Sequence, residues 1–341
     1  MKKVFLALIL IIGLLISVIY LPKSTTSEKE VIFIIKKGEG SKEIALNLEK
    51  AGLINFSPIF RFYVLTTGKA GKLQAGDYLL SPSMNIPQIV HKFTTGDIIK
   101  EKITIIEGWN LRDIGFYFEN KGMFQAEELW EVAGFPAVDF SKVRDLPKPK
   151  DFSSDYEFLK EKPKNISLEG YLFPDTYEIN KEANIETVIR KMLSNFDKKI
   201  TPELRTEIKK QGKTIFEIIT MASLIEKEVK TKEDKELVSG VLWKRLKTGI
   251  PLQVDATISY ITGKQTTKIS KADTLIDSPY NTYKYYGLPL GPISNPGLES
   301  IKAAIYPKSS DYWYYLSTPD GKTYYSKTLK EHNIKKAKYL K

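Results

Sequence analysis

After Met1-Lys2-Lys3 the chain runs through residues 4–21 without a charge and reaches Pro22-Lys23, and no other feature limits its architecture so strongly. About 18 uncharged residues are close to the minimum for a helix that crosses a bilayer. The run exceeds the usual apolar core of a secretory signal, and no A-x-A-like site follows it, so an uncleaved anchor is expected over residues 1–23. A cleaved signal peptide is the competing reading. Lys2 and Lys3 sit on the short side, so the positive-inside tendency keeps the N-terminus in the cytoplasm and sends everything after Lys23 across the membrane. The expected location is the cell membrane, single-pass, with the working part on the periplasmic or extracellular side.

The rest of the composition agrees with an exported, folded chain. There is no cysteine, which removes disulfides, thiolate nucleophiles and thiolate metal sites. His91 and His332 are the two histidines, too few for a His-rich zinc site. No glycine-rich phosphate loop or dinucleotide fingerprint occurs. No cofactor is expected, and acid-base chemistry falls to carboxylates, tyrosines or lysines. The net charge of +11 is spread along the whole chain without a compact basic block. It fits a lysine-rich surface that helps hold the protein near anionic lipid or wall, and nucleic acid is not an expected partner.

After a polar linker at 24–30, residues 31–35 read as a strand, and 41–50 as a helix with Ile44, Leu46 and Leu48 apolar, ended by Gly52. A helix near 59–66, a strand-like segment at 73–80 and a helix from Ile86-Pro87 to about Thr94 follow. This strand-helix-helix-strand pattern over 31–98 resembles LysM, a module associated with GlcNAc-containing polymers; a structural spacer is the other reading. A second strand-turn-helix copy is expected over 99–125: residues 103–106, Gly108, then 113–121 and Gly122. Residues 146–167, rich in Pro, Lys, Asp and Ser, read as a surface connection. The expected class is α+β: a transmembrane helix, a small LysM-like module and a mixed α/β catalytic domain over 99–341.

Between Thr214 and Val229, Ile215, Ile218, Ile219, Ala222, Ile225 and Val229 mark one helical face. Glu226 falls on that face, whereas Glu217 and Glu228 point nearly opposite. A carboxyl group there must open on a cleft, be paired by Lys, Arg or backbone donors, or stay neutral with a raised pKa, which is what a general acid needs. Three further stretches mix aromatic rings with amides and hydroxyls: residues 169–177 (EGYLFPDTY), 252–257 (LQVDAT) and 278–297, containing SPYNTY and GLPLGPISNPG. Such surfaces suit sugars, whose faces stack and whose hydroxyls need partners, although turn chemistry explains many of the same residues.

Those stretches, with the segment MASLIEKE at 221–228, resemble the endolytic murein transglycosylase family, MltG or YceG-like. The similarity extends from about Val31 to the C-terminus, and the closing stretch around His332 and Asn333 shares it. The resemblance implies an endolytic lytic transglycosylase that cleaves the MurNAc-GlcNAc bond of peptidoglycan and leaves a 1,6-anhydro-MurNAc end. It implies that the family's catalytic glutamate, in the Ala-Ser-x-x-Glu-Lys-Glu motif, is Glu226, and that peptidoglycan synthases are partners. Tyr171, Gln253, Asp255, Tyr280, Asn281 and Asn295 are the expected sugar-positioning residues. Asp255 and Glu169 are candidates for a second carboxylate, which a hydrolase would need. A noncatalytic wall-binding protein, with Glu226 as a satisfied core residue, is the reading from another class.

Overall fold

The computed structural model describes residues 13, 16–26, 29–181, 183–264, 269–318 and 320–340. Most of the uncharged N-terminal run lies outside them, and among the described residues no helix is long and apolar enough to cross a membrane. The chain divides into two compact units. The first takes the chain through Ile103 together with Glu178–Ala183, and the second takes Thr104–Tyr177 and Asn184–Lys341. The break therefore comes a few residues after the expected 98/99 boundary, and the second unit is interrupted in sequence.

In the first unit, β1 (Val31–Ile35) is followed by α1 (Ser41–Lys50), α2 (Ser57–Thr66), β2 (Gly76–Leu80) and α3 (Ile86–Thr95). β1 and β2 pair antiparallel, from Val31 opposite Leu80 to Ile35 opposite Gly76. Alternation puts Phe33, Ile35, Tyr78 and Leu80 on the inner face and leaves Ile32 and Ile34 exposed. Phe93 is the hub of the core, with ring centroids 5.8 Å from Phe33, 6.4 Å from Phe60 and 4.7 Å from Tyr78. On α1 the buried stripe is Ile44, Ala45 and Leu48, and Leu46 points outward. α3 starts on a capping box between Asn85 and Gln88 and stops at Gly96, whose φ of 68° suits glycine.

β3 (Lys100–Thr104) pairs with β4 (Thr176–Asn180). The strand expected at 103–106 is thus shifted towards the N-terminus. α4 (Leu111–Asn120) also starts earlier than expected, because the Asn110 side chain accepts from Arg112 N at 2.8 Å and Asp113 N at 3.1 Å and so caps it.

The second unit continues with α5 (Ala126–Ala133), α6 (Ile185–Lys199), α7 (Pro202–Lys210), α8 (Ile215–Glu228), α9 (Lys232–Lys247), α10 (Asp255–Thr262), α11 (Leu298–Ile305), the antiparallel pair β5 (Tyr314–Ser317) and β6 (Thr323–Ser326), and α12 (Leu329–Tyr339). α8 is its axis: every residue from Ile218 to Ile225 is buried. α9 and α11 pack against α8 and against each other. On α9, Gly240 permits a close approach, since a Cβ there would stand 2.0 Å from the Lys308 carbonyl oxygen. The polar 146–167 stretch is not merely a surface connection. Phe152, Phe158, Leu159 and Ile166 are buried, and the Phe158 ring lies 4.6 Å from Phe196. The class is α+β, mainly helical with small two-stranded sheets.

Candidate active site

The last turn of α8 carries Glu226, Lys227 and Glu228 in succession. At roughly 100° per residue the two glutamates point to opposite sides of the helix. Thr214 and Glu217 cap the other end reciprocally, and Glu161 accepts from Ile215 N at 2.6 Å, so the helix is secured at its start.

Glu226 faces inward and meets partners on two other helices. One oxygen accepts from Gly297 N at 3.0 Å and Ser300 Oγ at 2.6 Å, at the N-terminus of α11, where backbone donors and the helix dipole favour an anion. Lys235 Nζ on α9 lies 3.3 Å and 3.4 Å from its two oxygens, and the Lys235 and Glu226 side chains are 4% and 9% exposed. Glu226 thereby joins three helices. Beside it, burial and then the Glu226 charge push the Glu107 carboxyl above its ordinary value. The sequence placed Glu226 on the buried face, and there its carboxyl is paired with Lys235 and the start of α11.

Glu228 points the other way, into the wall of a cleft of about 1460 Å³. The walls come from the start of α4 (Trp109, Asn110, Arg112), the end of α8, Arg245, the Gln253–Ala256 turn, Tyr283, β5 and α12. Burial pushes the Glu228 carboxyl up to about 7; a hydrogen bond from Tyr315 opposes the rise and the charge of Asp255 adds to it. Tyr315 is itself pushed well above the ordinary phenol range, first by burial and then by Glu228. Asp255 opens α10 and accepts a hydrogen bond from the Tyr283 hydroxyl. Gln253, two residues earlier, has φ 55°, a left-handed conformation that side chains rarely adopt. It is held by Gln253 N donating to Thr282 O at 3.1 Å and Val254 N donating to Thr282 Oγ1 at 3.0 Å.

Gln253 and Asp255 are the two expected sugar-positioning residues that line this cleft. The other four lie in the core. Tyr171 is buried between Phe158 and Phe196 at 6.0 Å and 5.3 Å. Tyr280 is buried edge-on to Tyr260 at 5.2 Å. Asn281 ties its own loop, donating to Thr274 O at 3.1 Å and Ile276 O at 2.7 Å. Asn295 accepts from Leu172 N at 2.9 Å and donates to Trp109 O at 3.0 Å and Glu169 Oε1 at 3.1 Å. These residues do not line the cleft: the two tyrosine rings pack in the core, and the Asn281 and Asn295 amides are spent on backbone groups and on Glu169.

Glu169, the other candidate second carboxylate, is 1% exposed behind the wall. It accepts from Leu111 N at 3.0 Å, at the start of α4, and from the Tyr260 hydroxyl, and burial pushes its carboxyl up to about 8. Among the described residues no group of His, Asp and Glu could hold a metal ion.

Sequence phase passed over Glu228 because α8 has apolar residues on every side, so phase alone does not separate core from cleft. The usable signal was its position as the last helical residue, where the chain leaves the core. The site combines a half-buried carboxyl group titrating near neutrality, a neighbouring exposed carboxylate and an aromatic, cationic wall. That is a set able to donate a proton, stabilise positive charge and hold a polymer.

The chain is similar to known proteins over most of its length. The YceG-like family model matches residues 33–338. The chain is 35% identical over 323 residues to the endolytic murein transglycosylase of Bacillus subtilis (strain 168), covering 94% of this chain and 87% of that protein. It is 34% identical over 338 residues to the endolytic murein transglycosylase of Streptococcus pneumoniae serotype 2, covering 94% of this chain and 60% of that protein. A 2.6 Å crystal structure of a yceG-like protein from Listeria monocytogenes is 35% identical, with a TM-score of 0.60 over 90% of this chain and 99% of the other.

Proposed function

The chain belongs to the YceG-like family, and from that premise we propose that it is an endolytic murein transglycosylase; departing from the Glu226 that the resemblance implies, we propose Glu228 as its proton-transferring group. The observation that carries this choice is a carboxyl group pushed up to about 7 at the wall of the cleft, beside Asp255. Such a group is substantially protonated near neutral pH yet able to ionise, as a group serving first as acid and then as base must be.

In the reaction, Glu228 gives its proton to the oxygen bridging MurNAc to GlcNAc, and the bond from C1 of MurNAc to that oxygen breaks. Positive charge develops at C1. The MurNAc 6-hydroxyl attacks C1 and passes its proton to the Glu228 carboxylate, which restores the acid. No water is consumed, and the products are a 1,6-anhydro-MurNAc end and a free GlcNAc hydroxyl. The Tyr315 hydrogen bond favours the ionised form of Glu228 as the proton leaves. Asp255, held by Tyr283, supplies negative charge on the same wall as the C1 cation forms. Gln253 is assigned to positioning a sugar, which its exposed, conformationally strained place in the cleft supports. Glu226 is assigned a positioning role, fixing the last turn of α8 through Lys235 and α11.

The β1-α1-α2-β2 order supports reading the first unit as a LysM-like glycan-binding module. The uncharged run at 4–21 supports a membrane anchor that leaves the catalytic unit outside the cytoplasm, within reach of peptidoglycan synthases.

Asp255 beside Glu228 also favours one rival, hydrolysis with Asp255 activating water. Mass spectrometry of glycan strands incubated with the full chain separates the two: anhydro ends support the lytic reaction, and reducing MurNAc ends support the rival. A folded Glu228→Gln variant that still makes anhydro ends removes Glu228 from the role.

A further inference from the structure

α12 has no fully buried residue, yet His332 on it is half-buried and lines the cleft. Its imidazole stacks on Tyr314 with ring centroids 5.4 Å apart and planes 29° from parallel. Tyr314 in turn has the Arg245 guanidinium 5.1 Å from its ring centre. Arg245 is pinned by donation from Nε to Trp313 O at 3.0 Å and from Nη1 to Leu252 O at 2.9 Å. The imidazole therefore rests on a rigid support.

Its two nitrogens have unlike surroundings. Nδ1 is shut off from solvent and has no hydrogen-bond partner. Nε2 is not among the atoms so enclosed, and the ring lines the cleft. Burial, then the nearby Lys336, Arg245 and Lys335 cations, hold the imidazole pKa below its ordinary value, so the ring is neutral at physiological pH. A neutral ring carries one proton. A buried N–H without an acceptor is rarer and costlier than a buried lone pair, so the proton belongs on Nε2. A purely structural ring would leave no reason for a histidine here, since phenylalanine would stack on Tyr314 without enclosing an unpaired nitrogen.

We propose that His332 holds the glycan, its Nε2–H donating to an acceptor oxygen of a sugar, the acetamido carbonyl or a hydroxyl, seated against the Tyr314 wall. This rests on the transglycosylase reading above. The bond is made to substrate and transition state alike, so it lowers KM and leaves kcat nearly alone.

The test uses the full chain in detergent micelles acting on uncrosslinked glycan strands, with kcat and KM measured for wild type, His332→Phe and His332→Gln. Phenylalanine keeps the stack and loses the donor, whereas the glutamine amide can place an N–H near the Nε2 position. KM should rise about fivefold in His332→Phe, as for one neutral hydrogen bond, with kcat within about twofold, and His332→Gln should recover most of the loss. A KM unchanged in His332→Phe, or a fall in kcat instead, overturns the proposal. The 15N resonances of the two imidazoles give a second reading that does not need turnover. His332 should show a protonated Nε2 that shifts on adding glycan strands to Glu228→Gln while His91 stays in place; a protonated Nδ1 or a static signal counts against it. Activity retained by Glu228→Gln would instead refute the general-acid assignment.

Discussion

The surroundings of Glu228 make opposite demands on its proton, and that opposition can be measured. With its carboxyl at about 7, turnover should be level on the acid side and fall about tenfold per pH unit on the alkaline side, where the acid has lost its proton. Tyr315→Phe removes a donor to the ionised form. A hydrogen bond to a charged group contributes about 1.5 kcal/mol, which is about one pH unit, so the falling limb should move about one unit to higher pH. Asp255→Asn removes a like charge. Asp255 is exposed and screened, so the limb should move about half a unit the other way. At pH 8, relative to each protein's own acid plateau, about a tenth of the activity remains in wild type, about half in Tyr315→Phe and about one part in thirty in Asp255→Asn. The assay is chromatographic counting of anhydro ends released from glycan strands across pH 5 to 9. Shifts in the same direction, or a limb that moves with Glu226→Gln and not with Tyr315→Phe, would refute the reasoning.

Glu226→Gln should remove the charge that compensates Lys235, leave a buried ammonium unpaired, and lower stability by about 3 kcal/mol in urea unfolding. Adding Lys235→Met should recover part of that loss; a Glu226→Gln protein as stable as wild type but unable to cleave would return the acid role to Glu226. For Glu169 the folded carboxyl lies at about 8, above its ordinary value of 4.5, so its protonated form is the one folding favours. Its stabilising contribution is present in full below pH 4.5 and is lost as pH rises through about 8. Glu169→Gln should flatten that part of the melting-temperature profile, and an unchanged slope by calorimetry would show that Glu169 does not carry it.

What could be read in the residues depended on how local the cause was. The helices of the first unit follow from local periodicity, and the starts of α3, α4 and α8 from caps at Asn85, Asn110 and Thr214, each within three residues of its partner. The site was harder because its decisive contrast is long-range. Glu226 and Glu228 differ in what lies opposite: Lys235 and Ser300 for one, Tyr315 and Asp255 for the other. Helical phase reports which way a side chain leaves its own helix, and α8 has protein on nearly every side. The motif residues Tyr171, Tyr280, Asn281 and Asn295 were legible as special but not as supports, because the tyrosines' partners are core rings and the asparagines' partners are backbone groups up to 186 positions away. Composition misled at Phe152 and Phe158, where a few aromatic rings anchor an otherwise polar stretch.

The return of Glu178–Ala183 to the first unit bears on any attempt to move these parts between proteins. A segment cut at Ile103 is contiguous on paper, but it leaves behind a strip that the unit counts as its own, including Lys181, whose ammonium stands 3.6 Å from Asp77 on β2. The catalytic unit begun at Thr104 would carry the same strip as a loop deprived of its partners. Grafts and truncations of this architecture are therefore better designed around the β3–β4 pair, keeping both strands with whichever half is retained.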